Sequence, residues 1–437
     1  MNRRYLLSKS ISILLTKLVL TLIKFSISVI TARFLGAAGR GLYFGANQFS
    51  GLISTIFSFS AHDGIIFHAA KKGIKKKDSL SLALLLVAFF SLISIGLIFI
   101  FWNLFIVPYL GEDYDTIKIF IILLIPFLLF ELFSSSVLKG FSDFHSLNKI
   151  QVRSKLILAI SIFTLLSLHK TLISAFIGSI LAYIFISFVY IAYFLRNYGF
   201  AYNSVLLNAR KVLSYGKKMH FPYMLYELEH RVDLFIILYL LSPASLGVYS
   251  IGILFAQIVL NISNSFNTVL FTKFSDVANS KELNIKSMMY AIRNTIFLSL
   301  IFYVFFAFFG MSIIDFLFGE EFHDAYFVFL FISFGVVFDL IARGLSTYLK
   351  TELEGKLISK VLIFTLTVNI CLNFLLIPAL GVSGAAIASS ISYLGKAYIY
   401  FLFFKKKFEI NFIDFFKFNF QELNEILKVL FNKIFTK

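Results

Sequence analysis

Apolar stretches long enough to cross a lipid bilayer recur along the whole 437-residue chain, and clusters of charged residues separate them. A membrane-spanning α-helix needs about 20 mostly apolar residues. Charged residues make up only 14% of the chain, whereas soluble domains average about 25%. The sequence therefore predicts an all-α polytopic membrane protein with about 12 transmembrane helices. The predicted spans are 6–32, 41–68, 79–101, 116–138, 155–169, 171–195, 219–241, 245–270, 287–310, 325–349, 357–378 and 382–404.

The basic residues are distributed unevenly between the loops. When the N-terminus and every second loop are assigned to the cytoplasm, 30 lysines and arginines lie on that side and four on the other, Arg33, Arg40, Lys118 and Lys170. Membrane proteins keep their positively charged loops in the cytoplasm, so both termini are predicted to be cytoplasmic. The net charge of +17 follows this sidedness and does not indicate a nucleic-acid partner.

An internal repeat divides the chain into two halves. Residues 33–43 resemble residues 239–249 at an offset of 206, and residues 109–131 resemble residues 317–339 at an offset of 208. Because each half holds six spans, both halves run in the same direction, and two six-helix lobes related by a pseudo-twofold axis along the membrane normal are predicted. The predicted parts are an N-terminal lobe (1–205), a C-terminal lobe (206–404) and a basic amphipathic cytoplasmic tail (405–437).

Two lysines interrupt the first apolar stretch, which runs from Ser10 to Thr31. Lys17 and Lys24 share one helical face with Thr21 and with serines and threonines three, four or seven residues away. An ammonium group at mid-membrane costs roughly 2.5–3.5 kcal/mol, so this face is predicted to border a polar cavity. The alternative is snorkelling to the interface, for which Lys24, about 15 Å from either end of the helix, lies too deep.

The seventh span is unusually charged. It contains, within seven residues, Glu227, Glu229, His230, Arg231 and Asp233. Glu227 and Arg231 are spaced to pair across one helical turn. At the offset of 206, the polar face of the first helix maps onto the face that carries Tyr223, Glu227 and His230. The alternative is an amphipathic surface helix followed by a span that begins at Val232, but only ten apolar residues would remain for that span.

Acidic residues deep in the apolar stretches are candidates for ion coupling. Glu131 and Asp339 end the two halves of the second repeat match, and Glu227 and His230 lie in the seventh span. A carboxylate in a low-dielectric cavity can hold a proton or coordinate sodium, and the sequence leaves both ions open. Arg343, four residues after Asp339, makes an intrahelical ion pair the alternative for that carboxylate.

The second and eighth spans also each carry a polar face. Asn47 and three serines share one face of the second span, and Gln257, Asn261 and Asn264 share one face of the eighth. These side chains either line the predicted cavity or form hydrogen bonds between helices in a packed bundle, and the spacing does not separate the two interpretations.

The sequence lacks the common nucleotide-binding, hydrolase and metalloprotease motifs. It has no P-loop, no Gly-x-Ser-x-Gly turn and no His-Glu-x-x-His helix. Cys371 is the single cysteine, which excludes a disulfide framework within the chain. His62, Asp63 and His68 are predicted to be solvated groups near the cytoplasmic interface, because three such residues on one helix are a weak metal signal without a thiolate. No catalytic residue, metal or cofactor is predicted.

Two segments carry a resemblance to a known family. ARFLGAAGRGLYFGANQFSGLISTIF (32–57) resembles the junction of the first two helices of Wzx-type polysaccharide repeat-unit flippases. NICLNFLLIPALGVSGAAIASSISYL (369–394) is similar to the signature of their C-terminal lobe. These proteins belong to the multidrug, oligosaccharidyl-lipid and polysaccharide exporter (MOP) superfamily, whose members have two six-helix lobes around a central cavity.

The resemblance implies a transporter rather than an enzyme. The implied substrate is an oligosaccharide unit on undecaprenyl diphosphate, destined for an O-antigen, a capsule or another glycan. The implied process is its transfer from the inner to the outer leaflet of the bacterial plasma membrane by alternating access, coupled to H⁺ or Na⁺. The implied partners, besides the bilayer and the lipid-linked substrate, are a polysaccharide polymerase and chain-length proteins.

Under this resemblance the polar residues acquire roles. Four cations are the predicted ligands of the diphosphate: Lys17, Lys24, Arg231 and Arg293. Uncharged polar side chains are the predicted sugar contacts: Thr21, Asn47, Tyr223, Gln257, Asn261 and Asn264. A drug or cation exporter of the same superfamily is the first alternative, although acidic rather than basic cavity residues would then be expected. A membrane polysaccharide polymerase is the second, and it would be expected to carry a large catalytic loop.

Overall fold

The computed structural model describes residues 3–105, 114–274, 281–351, 355–408 and 411–417. Within these ranges some side chains lie outside the description, chiefly those of residues 3–18, 261–274 and 281–284. Within these ranges the chain is helical and contains no strand, which confirms the predicted all-α class. The α-helices are α1 Arg3–Phe57, α2 Ala61–Ala70, α3 Ser79–Phe105, α4 Tyr114–Gly140, α5 Phe144–Leu168, α6 Leu172–Asn197, α7 Val205–Glu229, α8 Val232–Leu240, α9 Pro243–Phe274, α10 Lys281–Phe318, α11 Ala325–Thr351, α12 Gly355–Leu380 and α13 Val382–Phe408.

Nine helical segments of the described ranges are long and apolar enough to cross a membrane, so the chain is a polytopic membrane protein as predicted. The longest segment, Val19–Phe57, is interrupted at Gly36, whose φ of 68° and ψ of −178° suit a residue without a side chain. α1 therefore holds the first two predicted spans as two helical segments. The predicted seventh span differs from the observed helices, because α7 and α8 divide it.

Two compact units divide the chain. Val19–Ser250 forms one unit, and Met1–Leu18 together with Ile251–Lys437 forms the other. In the first unit α4, α5 and α6 pack on one another, and large side chains such as Phe133 fill the core. In the second unit α13 packs against both α11 and α12. The division into lobes at 205/206 stays a prediction.

α5 begins 11 residues before the predicted fifth span, which started at Lys155. Its first three turns are too polar for a hydropathy window, but Asp143 accepts a hydrogen bond from the backbone N–H of Ser146 and so caps the helix. Burial alone would raise the pKa of Asp143, yet hydrogen bonds from Tyr193, Ser146 and Tyr198 outweigh it and hold that pKa below the usual carboxyl range.

Residues that the sequence repeat makes equivalent contact each other inside the first unit. A Cβ on Gly41 would lie 1.7 Å from the carbonyl oxygen of Pro243, and a Cβ on Gly247 would lie 2.1 Å from that of Ala37. In the repeat, Ala37 is equivalent to Pro243 and Gly41 is equivalent to Gly247, at the predicted offset of 206. Equivalent residues that contact each other reciprocally have the pattern of an isologous contact. The short glycines therefore let α1 and α9 approach closely at a local twofold axis.

The Asn-rich block of the second unit connects α12 to α13. Gly381, with φ of 58°, makes the turn between the two helices. The amide of Asn373 donates to Asn369 Oδ1 at 3.0 Å, and the amide of Asn369 donates to Ser389 Oγ at 3.3 Å. All three side chains are buried. The bond within α12 orients Asn369, and the bond from Asn369 to Ser389 joins the two helices in an apolar surrounding.

Candidate functional site

Lys24 lies in a cluster of charges within the first unit. We call Lys24, Glu131, Lys155 and Tyr183 the Lys24 cluster. Lys155 Nζ is 3.6 Å from Glu131 Oε1 and lies 5.5 Å from the centre of the Tyr183 ring. The charges of Lys155 and Glu131 both act on Lys24. Lys24 is exposed, whereas the side chains of Glu131 and Lys155 are 18% and 19% exposed. α4 and α5 thus bring one carboxylate and one ammonium group together, and the charge of Lys24 on α1 interacts with both.

Arg231 lies in a second group of the same unit, at the break between α7 and α8. We call Tyr223, Glu227 and Arg231 the Arg231 group. Arg231 Nη2 is 2.9 Å from Glu227 Oε2, which is the predicted pair across one turn. Arg231 Nη1 donates to the carbonyl of Gln48 at 3.2 Å, and a side chain at Gly51 would crowd that nitrogen. The guanidinium is therefore held by α1 as well as by its own helix.

The predicted ion-coupling residue His230 lies directly at this helix break. Its Nδ1 is 2.9 Å from the carbonyl of Tyr226 and 3.9 Å from Glu229 Oε2. The side chain of Glu229 is almost fully buried. A titratable imidazole thus stands beside a buried carboxylate where the backbone leaves the helical path.

Tyr223 of the Arg231 group also contacts the start of α2. The charge of Glu227 acts on the Tyr223 hydroxyl, and the Tyr223 ring packs at 4.8 Å on the ring of His62. His62 Nε2 is 3.6 Å from Asp63 Oδ1. The charge of Lys139, on α4, interacts favourably with those of both Asp63 and Glu131. Within the described residues no group of three histidine, cysteine or acidic side chains is arranged to hold a metal ion.

Asp339 of the second unit has two cationic partners. Arg343 Nε is 2.5 Å from Asp339 Oδ2, which is the intrahelical pair that the spacing allowed. Lys396 Nζ, from α13, is 2.7 Å from Asp339 Oδ1 and 4.9 Å from the centre of the Tyr393 ring. Asp339 is fully buried and Lys396 is 5% exposed. The carboxylate at the end of each repeat match, Glu131 or Asp339, thus pairs with a lysine that contacts a tyrosine.

Arg293 lies against the start of the predicted tail. Its Nη1 donates to the carbonyl of Lys417 at 3.1 Å, and its Nε donates to the carbonyl of Met289 within α10. Nearby, Phe412 and Phe415 pack their rings on Phe401 of α13. The described part of the tail is therefore docked on the helices of the second unit.

The remaining predicted residues fall into three groups. Thr21 is half-buried, Gln257 is exposed, and Asn47 donates to the carbonyl of Tyr43 within its own helix at 2.8 Å. The side chains of Lys17, Asn261 and Asn264 lie outside the described residues. Among the described residues, Lys24 and Arg231 have different partners, and their common role stays a prediction.

Sequence reasoning missed three cations of these groups. Lys139 lies just beyond the predicted span 116–138 and Lys155 at the edge of 155–169, although α4 and α5 carry them. Lys396 lies inside the predicted span 382–404, and no role was predicted for it. Two features of the sequence could have revealed Lys155. Glu131 lies deep in a span, where a carboxylate requires a cation, and Lys155 lies at the edge of a predicted span that is too short to cross a membrane.

Arg40, predicted to be an outer-loop charge, is buried within the first unit. Its guanidinium donates to Thr31 Oγ1 at 2.9 Å, Ser28 Oγ at 3.1 Å and Ser250 Oγ at 3.3 Å, and it lies over the Phe44 ring. The part of this polar face that carries Ser28 and Thr31 thus binds an arginine of the same chain. Among the described side chains of the face, Lys24 interacts with other charges of the predicted site.

The comparisons with known proteins agree with this architecture. The model of a family described as "Polysaccharide biosynthesis protein" matches residues 69–327, more than half of the chain. No curated protein matches the sequence significantly.

Several solved structures share the fold. Lipid II flippase MurJ in an inward closed conformation is 18% identical, with 98% of this chain and 92% of that chain covered and a TM-score of 0.73. A multidrug resistance MATE family transporter of the MOP superfamily, inward-facing, is 16% identical, with 89% and 94% covered and a TM-score of 0.69. A MOP superfamily transporter from Pyrococcus furiosus, described by a binding pocket of reverse polarity, is 15% identical, with 91% and 94% covered and a TM-score of 0.65.

Proposed function

Since this chain belongs to the family of polysaccharide biosynthesis proteins, we propose that it is a flippase for oligosaccharide repeat units on undecaprenyl diphosphate. It moves them from the cytoplasmic to the outer leaflet of a bacterial plasma membrane by alternating access, with both termini in the cytoplasm. The fold shared with lipid II flippase MurJ and with MATE transporters supports a transporter. The predicted charge sidedness supports the orientation.

One observation carries the proposal: the Lys24 cluster has an excess of positive charge within apolar helices. Lys155 pairs with the single carboxylate of Glu131, and the ammonium group of Lys24 interacts electrostatically with both charges. A lipid diphosphate carries about two negative charges and forms strong charge-assisted hydrogen bonds with such groups. A positively charged drug would be repelled by the same cluster, which disfavours the alternative of a cation exporter.

The ion pairs favour a proton over sodium as the coupling ion. Glu131, Glu227 and Asp339 each have a lysine or arginine where a sodium ion would need to coordinate. His230, next to buried Glu229, is the remaining candidate, because an imidazole can take up and release a proton near neutral pH. We therefore place the proposed proton step at the break between α7 and α8.

The test of the function is export by a Lys24 variant. In Lys24→Ala, surface glycan should fall to the level of a strain without the gene, while the amount of protein in the membrane stays normal. Lys24→Arg should retain part of the export, because it keeps the charge but changes its shape. Lys149→Ala is the matched control, since Lys149 is an exposed lysine of α5 away from the cluster. Normal surface glycan in Lys24→Ala would contradict the proposed role of the cluster.

A further inference from the structure

Glu131 supplies the carboxylate of the Lys24 cluster. It lies on α4, and its ion-pair partner, Lys155 on α5, also contacts the ring of Tyr183 on α6. These three helices pack directly on one another. Lys155 is thus held in place by two neighbours, and it does not need to move when the carboxylate leaves.

The contact between Glu131 and Lys155 is an ion pair without a short hydrogen bond. Charge-assisted hydrogen bonds between nitrogen and oxygen are about 2.7–2.9 Å long, whereas this pair is separated by 3.6 Å. By comparison, Lys396 and Asp339 of the second unit approach to 2.7 Å. A looser pair next to exposed Lys24 leaves donor capacity on both ammonium groups for a second anion.

We propose that Glu131 is an internal counter-ion, which neutralises Lys24 and Lys155 until the substrate diphosphate replaces it, and that Lys155 is a further ligand of that diphosphate. This inference rests on the proposed function. Each phosphoryl group of the diphosphate takes one ammonium group, so two linked charges outcompete the single charge of the carboxylate. A lipid with one phosphodiester charge gains less, and Glu131 therefore makes the site select a diphosphate over a monophosphate.

The test measures anion binding to purified full-length protein in lipid nanodiscs. The probes are undecaprenyl diphosphate and undecaprenyl monophosphate supplied in the disc, and inorganic pyrophosphate supplied in solution. Glu131→Gln should bind the lipid diphosphate roughly tenfold more tightly than the unaltered protein and should discriminate less against the monophosphate. Lys155→Met should bind the diphosphate at least about tenfold more weakly.

Controls separate binding from folding. Lys155→Met leaves a half-buried carboxylate without its cation, so the double variant Lys155→Met/Glu131→Gln removes both charges and keeps weak binding testable in a folded protein. Asp115→Asn makes the same change of charge at an exposed position of α4 and should leave binding unchanged.

The outcomes distinguish this inference from the function on which it rests. If the unaltered protein does not bind the lipid diphosphate, the proposed function fails. If it does bind, and Glu131→Gln binds with equal or lower affinity, only the counter-ion role is wrong. If Glu131→Gln gains affinity for inorganic pyrophosphate alone, the cluster serves a soluble anion and the assignment to the lipid is overturned.

Discussion

At the scale of single residues, the burial of the ion pair between Asp339 and Lys396 predicts a structural role for this pair, besides the ion coupling predicted for Asp339. Breaking a buried ion pair by removing one partner costs about 3–5 kcal/mol, because the other charge is left without compensation. In Asp339→Asn, the ammonium group of Lys396, which is 5% exposed, would lose this compensating charge. We therefore expect a clearly lower melting temperature for purified Asp339→Asn in detergent and less protein in the membrane.

The double variant Asp339→Asn/Lys396→Met controls this prediction. It removes both charges, and it should recover most of the melting temperature that the single variant loses, since Arg343 is only partly buried and can reach solvent. If Asp339→Asn melts like the unaltered protein and yet exports no glycan, Asp339 acts in ion coupling and the structural role is wrong.

The residue scale also separates what the sequence could predict from what it could not. The pair of Glu227 and Arg231 was predictable, because both lie on one helix and the spacing of four residues fixes their distance. The partners of Glu131 and Asp339 on neighbouring helices were not, since helix packing alone brings Lys155 and Lys396 to them. Spacing along one sequence carries no information about such a contact.

At the scale of the helices, the contact of α1 with α9 explains why a glycine stands at the same place in both copies of the repeat, as Gly41 in residues 33–43 and Gly247 in residues 239–249. The backbone of one helix leaves no space for a side chain on the other at this crossing. Hydropathy found the helices here but not the break between α7 and α8, because that break lies among charged residues. Likewise it did not find the start of α5, which depends on a cap at Asp143 and not on apolar content.

This crossing predicts a strong effect of a single methyl group. In Gly41→Ala the new Cβ would lie 1.7 Å from the backbone oxygen of Pro243, which cannot yield as a flexible side chain can. Overpacking costs typically about 1–3 kcal/mol and occasionally more. We expect a lower melting temperature and a smaller monodisperse peak in size-exclusion chromatography.

Gly96→Ala is the control for that variant. Gly96 lies inside α3, and nothing surrounds the position of its Cβ within 4 Å. Alanine favours a helix over glycine by roughly 0.5–1 kcal/mol, so Gly96→Ala should be as stable as the unaltered protein or more so. Equal stability of Gly41→Ala and Gly96→Ala would show that α1 and α9 are not closely packed at this point.

At the scale of the whole molecule, the fold class was predictable because a bilayer accepts few structures. Every backbone polar group must be satisfied within the membrane, so long apolar stretches become helices. The burial of Arg40 strengthens the predicted orientation, because a guanidinium bound to Ser28 and Thr31 is not a loop charge. Three rather than four basic loop residues then remain on the predicted outer side, compared with 30 on the predicted cytoplasmic side.

That orientation predicts the side of the membrane on which each loop lies. Alkaline phosphatase is active only outside the cytoplasm, so a fusion after Ala244, at the start of α9, should be active and a fusion after Lys76, between α2 and α3, inactive. Green fluorescent protein fused at the same two positions should give the opposite pattern, which controls for expression. Activity after Lys76 together with fluorescence after Ala244 would invert the topology, and the excess of positive charge would then lie outside. An inverted chain would also present the docked segment around Phe412 to the outer leaflet, where its neighbouring lysines would meet no anionic cytoplasmic lipid.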